Sequence, residues 1–353
     1  MPKAAPSQPF HAQDRMEFAR PKAMDLSGHG HAPSAVASAH AQHAPKHAGG
    51  AGPKFVHLAQ GWTPQGQGYD AKRGEVLTTY YRPPHDKGHD KAHDKAHHKL
   101  NDVMLSVQNK NSGKETQHAR LGGMGSEHGP SHGGGVATDG KNVYVADTKK
   151  IYVYSRQEIE RAAKEHTQAK PSQVMNVPHH DVTDPKTGKE LVSAGSFMAV
   201  KDGYAYVGGY SGKDDKKAGG AVWRYKIDEK SGEILKNSRQ GPIQAPDRAQ
   251  GVTVANGALM FTTGDHKLVY QPITSTPDKF QADAKKRTDI SNGHIDPYAQ
   301  GLNVVGKELW VTYESGSDKY RDKVRHPHES IQRIPLEKLD LKAAHLKPAQ
   351  LED

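Results

Sequence analysis

The chain has 353 residues, 36 of them glycine, and only 34% belong to the set AVILMFWYC, which predicts that part of it never enters a core. It has no cysteine, which excludes disulfides, thiolate nucleophiles and Cys-ligated zinc or iron–sulfur centres. The net charge of +9 divides into +3 from residues 1–54, +1 from His85–Lys99 and +5 spread over the remainder, so no dense cation stripe exists for nucleic acid, and no apolar run reaches the roughly 18 residues of a membrane span.

Residues 1–54 are rich in Ala, His, Pro, Gly and Ser, and Leu26 is their only leucine. With so little apolar area to offset ordering entropy, this stretch reads as a disordered tail. No secretory apolar run follows Met1-Pro2-Lys3, which predicts a cytoplasmic protein or one exported by a non-Sec route.

From residue 55 a pattern recurs. Its first copy runs from Gln67-Gly68 to Tyr80-Tyr81, the second from Gly135 to Asp147, and the third from Phe197 to Val207. The fourth starts at Gln250-Gly251 and the fifth at Gln300-Gly301. Each is a short strand, a tight turn bearing Gly with Asp, Asn or Lys, and a second β-branched or aromatic strand, which is a hairpin. Third strands follow at 103–107, 151–154, 221–225, 268–270 and 331–334, with weaker fourth strands at 115–119, 173–177 and 287–290. The repeats begin near 68, 135, 197, 251 and 301, spacings of 67, 62, 54 and 50 residues. Four strands at such a period predict an all-β fold, a five-bladed β-propeller over 55–340. The fifth blade lacks its own fourth strand, and Phe55–Leu58 is expected to supply it and hide the edge.

Three features interrupt the pattern. The first is a tetrapeptide repeat of His, Asp and Lys over 85–99, read as a loop insertion that either chelates metal ions through His85, His89, His93 and His97 or picks them up adventitiously. Ser155-Arg156-Gln157-Glu158 has capping-box spacing and predicts one inserted helix, with Ile159, Ala162 and Ala163 on a single side. Pro335–Leu346 is expected to form a second short helix outside the ring, and 341–353 a C-terminal extension.

The Gln-Gly starts, Glu314-Ser315-Gly316-Ser317-Asp318-Lys319-Tyr320 and the Ile331–Leu336 segment resemble a bacterial family of exported β-propeller proteins of unknown function. That resemblance spans about residues 55–340 and implies fold, not activity. Its members carry an export signal, and the repeat at 85–99 is extra to them.

Function is sought on one face. In a four-stranded blade, the loops between the second and third strands and the crossings to the next blade emerge together. Here those connections carry His132, His180, His294, His266, Asp296 and Glu314. Two readings follow. Either His132, His180, His294 and Glu314 hold a divalent metal, or the face binds a small molecule or protein without one. Gln67, Gln250 and Gln300 either line the channel or hydrogen-bond between blades, and Trp62, Tyr81, Tyr210 and Tyr298 offer apolar contact to a ligand. No phosphate-binding glycine loop occurs, since Gly133-Gly134-Gly135 lacks a following Lys-Ser/Thr. The expectation is a monomeric binding propeller with no defined catalysis, and the alternative is a metal-assisted hydrolase or lyase on the same face.

Overall fold

Alternating apolar positions and glycine turns produce hairpins, and among the described residues these sort into five antiparallel blades and one separate two-stranded hairpin. The computed structural model describes residues 49–83, 102–180, 182–212 and 217–352. The 85–99 repeat and residues 1–48 of the expected tail lie outside these.

Blade 1 consists of β2 (Thr63–Asp70), β3 (Glu75–Arg82), β4 (Asp102–Asn109) and β5 (Glu115–Leu121). Blade 2 holds β6 (Gly135–Thr138), β7 (Asn142–Asp147), β8 (Lys150–Ser155) and, after helix α1 (Arg156–Glu165) and β9 (Gln168–Ala169), β10 (Gln173–Asn176). A short hairpin, β11 (Val182–Thr183) and β12 (Glu190–Leu191), leads to blade 3, which is β13 (Phe197–Lys201), β14 (Tyr204–Gly208), β15 (Ala221–Lys226) and β16 (Gln240–Gln244). Blade 4 has β17 (Ala249–Ala255), β18 (Ala258–Thr263) and β19 (Leu268–Thr276), the last paired with both β20 (Lys279–Ala282) and β21 (Thr288–Asp289). Blade 5 has β22 (Ala299–Val305), β23 (Glu308–Tyr313) and β24 (Ser330–Pro335).

The ring closes with β1 (Gly50–Lys54), which pairs antiparallel with β24 through Gly50↔Arg333 and Ala51↔Gln332. This corrects the expected closure by Phe55–Leu58, and it moves the propeller's start into the segment read as tail. Phe55 instead buries its ring in the seam between blades 5 and 1, with Trp62, Tyr80, Met104 and Trp310. A bulky apolar residue beside a strand serves the core better than the edge, and the less apolar Gly50–Lys54 takes the ladder.

Each of the five seams has its own buried cluster, so apolar burial runs around the whole ring. The inner strands β2, β6, β13, β17 and β22 neighbour one another in a closed circle. Glycines allow that crowding. A Cβ on Gly301 would stand 2.1 Å from Gln67 N, and one on Gly251 2.2 Å from Gln300 O.

The inserted helix forms as expected. The Ser155 hydroxyl accepts from Glu158 N at 3.1 Å, and Ile159 and Ala162 are buried. After it, β9 runs parallel to β5 and covers the outer edge of blade 1. The C-terminal stretch forms three 3-10 turns rather than one helix, at Leu336–Lys338, Leu341–Ala344 and Pro348–Gln350. Leu336, Leu339, Leu341 and Leu351 are buried against blades 4 and 5, so these residues belong to the core.

Candidate functional site

Glu314 follows the last residue of β23 and is buried, although it is a carboxylate. Two inner-strand amides meet it. The Gln300 Nε2 donates to one oxygen at 3.1 Å, and the Gln65 Nε2 donates to the other. Both glutamines sit at β-bulges, where β22 shifts register between Ala299 and Leu302 and β2 between Pro64 and Gln67. Burial raises the Glu314 pKa more than the amides and the lysines at 319 and 323 lower it, and the net result is a carboxyl pushed up to about 7.

Around this carboxyl stands a ring of aromatic and basic groups. Lys319 Nζ donates to the Tyr81 hydroxyl at 2.6 Å and lies over the Tyr81 and Tyr320 rings at 5.0 and 4.9 Å. The hydroxyls of Tyr81 and Tyr320 are themselves linked, and Tyr320 packs on Tyr298 with centroids 4.9 Å apart. Burial and the Glu314 charge hold the Tyr81 hydroxyl protonated. Burial lowers the Lys319 pKa, with Glu314 opposing. His132 rests against Tyr81 at 5.0 Å. Its loop is fixed by Asp147, which accepts from the backbone N–H groups of Ser131, His132 and Gly133 at 3.0, 2.6 and 2.8 Å. Burial lowers the His132 pKa, Asp147 opposes, and Lys319 adds to the lowering.

Nearby, within the same pair of connections, His328 Nε2 lies 2.7 Å from Asp296 Oδ2 and stacks on Tyr313 at 4.0 Å. The His328 N–H donates to the Ser315 hydroxyl at 3.1 Å, which ties the far end of the Glu314 loop to its beginning.

The structure therefore brings Glu314, His132, Tyr81, Tyr298 and Gln300 into one neighbourhood. It places the other candidates differently. Gln67 accepts from the Thr312 hydroxyl at 2.8 Å and donates to Trp310 O at 3.2 Å, a blade 5 to blade 1 link. Gln250 is half-buried at the bulge in β17. Trp62 is a core residue under the Arg82 guanidinium, 4.4 Å away, and Tyr210 donates its N–H to the Ser196 hydroxyl at 3.0 Å. His180 is exposed beside His179, and His294 is buried with its N–H on Ser291 O. Farther along the axis, inner-strand residues including Gly68, Ala137, Met198 and Thr253 enclose a cavity of about 60 Å3. A larger hollow, about 630 Å3, lies between β16, β20 with the turn after it, and the turn at 184–187.

Three members of the site escape the sequence reading. Lys319 and Tyr320 stand in the Glu-Ser-Gly…Lys-Tyr string, but nothing in that string says that both fold back over Glu314. Gln65 is the structural counterpart of Gln300, and its signal was the doubled pair Gln65-Gly66-Gln67-Gly68.

Fold and site together define a five-bladed β-propeller with a buried carboxyl under a lysine–tyrosine cover at one end of its channel. No helix among the described residues is long and apolar enough to cross a membrane. The chain matches no protein-family model and no curated protein. Among solved structures it is similar to a glutaminyl cyclase of Myxococcus xanthus, at 12% identity and a TM-score of 0.37, over 72% of this chain and 86% of that one. It is also similar to a Thermus oxidoreductase described as a glucose dehydrogenase, at 10% identity and a TM-score of 0.37, over 77% and 96%. A third is a Bacteroides fragilis protein described as a 6-phosphogluconolactonase, at 12% and 0.32, over 77% and 84%. At these levels nothing about this chain's activity follows.

Proposed function

We propose that the channel mouth binds a small polar molecule and exchanges a proton with it through Glu314. One observation carries this reading. A buried carboxyl with its pKa near 7 sits between two amides and an exposed lysine that donates to the buried Tyr81 hydroxyl, which is the poise an acid–base group needs at neutral pH. Lys319 would meet an acidic or carbonyl oxygen of the ligand, and Tyr298 and Tyr320 would supply its apolar contact. The Gln65 Oε1, buried without a protein hydrogen bond, is an acceptor that a ligand donor would satisfy.

The same poise favours a second reading, in which the bound molecule is turned over by hydrolysis or elimination with Glu314 moving the proton. This chemistry does not depend on a metal held by His132, His180, His294 and Glu314. The test is a thermal-shift screen of small hydroxy acids, lactones, sugars and amino-acid amides across about pH 5–9, with Lys319→Ala, Tyr298→Ala and Glu314→Gln beside the parent. Binders at this site lose their stabilising effect in Lys319→Ala and Tyr298→Ala, and lose its pH dependence in Glu314→Gln. A screen in which every binder stabilises all three variants as well as the parent removes the site.

A further inference from the structure

The ring-closing seam carries a separate cluster, none of whose members lies at the channel mouth. His57 stands in the link between β1 and β2, and Glu115 and His118 stand on β5, the fourth strand of blade 1. His57 Nε2 is 2.7 Å from Glu115 Oε1, and His118 Nδ1 is 2.9 Å from Glu115 Oε2. One ligand atom from each of the three lies within 4.8 Å of the others.

A flat strand would send residues three apart to opposite faces. Here the pairing of β4 with β5 shifts between Val107 and Gln108, so the bulge re-phases the strand and puts Glu115 and His118 together. The carboxylate is held in place by the Ser106 hydroxyl, which donates to Oε1 at 2.5 Å. His57 is steadied edge-on against Tyr80, at 5.6 Å between centroids. The Tyr80 hydroxyl is fully buried without a hydrogen-bond partner, so this seam holds a polar group that the protein alone does not satisfy.

We propose that His57, Glu115 and His118 bind a zinc ion, which latches the link after the closing strand onto blade 1. Two imidazoles and one carboxylate, with no thiolate, suit zinc, whereas calcium and magnesium favour all-oxygen sets. Ligands at about 2.1 Å around a tetrahedral ion stand roughly 3.4 Å apart, so the present spread must contract by at most about 1.4 Å. The His118 side chain is 50% exposed on an outer strand, so it has room to make that movement and leaves a fourth position on the solvent side. The ion replaces the two imidazole–carboxylate hydrogen bonds and takes a lone pair from one nitrogen of each ring.

The histidines of the 85–99 repeat and of residues 1–48 are zinc ligands by residue type, so the test rests on differences. The full chain, with His85, His89, His93, His97 and His98 replaced by Asn, is titrated with zinc against a chromophoric chelator and melted with and without zinc. Ions held alike by the folded and unfolded chain do not shift the melting temperature, whereas a site made by folding raises it. The expected result is a zinc-dependent rise that His118→Ala abolishes, with affinity at least tenfold weaker, and that His118→Asp partly restores. His345→Asn, at an exposed turn, leaves both unchanged. Because His118 is half-exposed, the variant keeps its fold, which circular dichroism checks. A parent without any zinc-dependent rise overturns the proposal. So does a His118→Ala variant that matches the parent within twofold in affinity and in the rise.

Discussion

Glu314 shows how one side chain links burial to chemistry. Its folded-state pKa of about 7 stands above the ordinary 4.5, so the folded protein holds a proton there that the unfolded chain has released. Between those two values the native state binds more protons, and its stability falls as pH rises from about 4.5 through 7. Glu314→Gln removes that proton while keeping a side chain of the same shape beside Gln65 and Gln300. The variant's stability should match the parent's near pH 4 and exceed it above pH 7, by up to about 3 kcal/mol. Urea unfolding at a series of pH values measures the difference, and an unchanged difference across the range would mean that the fold leaves this carboxyl's pKa where the unfolded chain has it. An infrared carboxylic-acid band present at pH 6 and absent in Glu314→Gln would report the same proton directly.

At the scale of elements, the closing strand and the bulges do the positioning. β1 is five residues long, yet it supplies the fourth strand of blade 5, and the link after it carries Phe55 into the seam. Phe55 N–H donates to Glu329 O at 2.9 Å and Gln108 Nε2 donates to Lys54 O at 2.9 Å, so the same short stretch ties blades 5 and 1 together. Deleting residues 1–48 removes none of these bonds and should leave the melting temperature within a degree or two. Deleting 1–54 bares the β24 edge, and should lower the melting temperature by several degrees and promote aggregation. Scanning calorimetry with light scattering distinguishes the two. Equal behaviour of both truncations would show that β1 contributes no stability.

At the scale of the whole molecule, five seams and a closed inner circle make each blade depend on its neighbours. Wherever Gln-Gly opens an inner strand the backbones nearly touch, and the neighbour is main chain that cannot swing aside. Gly301→Ala would place a methyl 2.1 Å from Gln67 N and should cost about 3 kcal/mol. Gly257→Ala is the instructive comparison, since its Cβ would meet nothing and only its φ of +64° resists the change. Denaturant melts of the two variants separate axial crowding from turn strain. If Gly301→Ala proved the milder, packing at the axis would be looser than the geometry requires.

The amino-acid sequence by itself determined the hairpins, the number of blades, the inserted helix and the face on which Glu314, His132, Tyr81 and Tyr298 gather. These follow from local signals: alternation of apolar residues, glycine turns, a capping serine and the repeat period. Tertiary structure decided the rest, because it depends on phase and on contacts far apart in the chain. Bulges in β2 and β22 aim Gln65 and Gln300 at one carboxylate, and a bulge in β5 turns Glu115 and His118 to the same side. A shift of one residue in a strand reverses its faces, and composition does not record where such shifts fall. Ring closure then chose Gly50–Lys54 over Phe55–Leu58, since Phe55 has more apolar surface to bury and the seam between blades 5 and 1 is where that surface is covered.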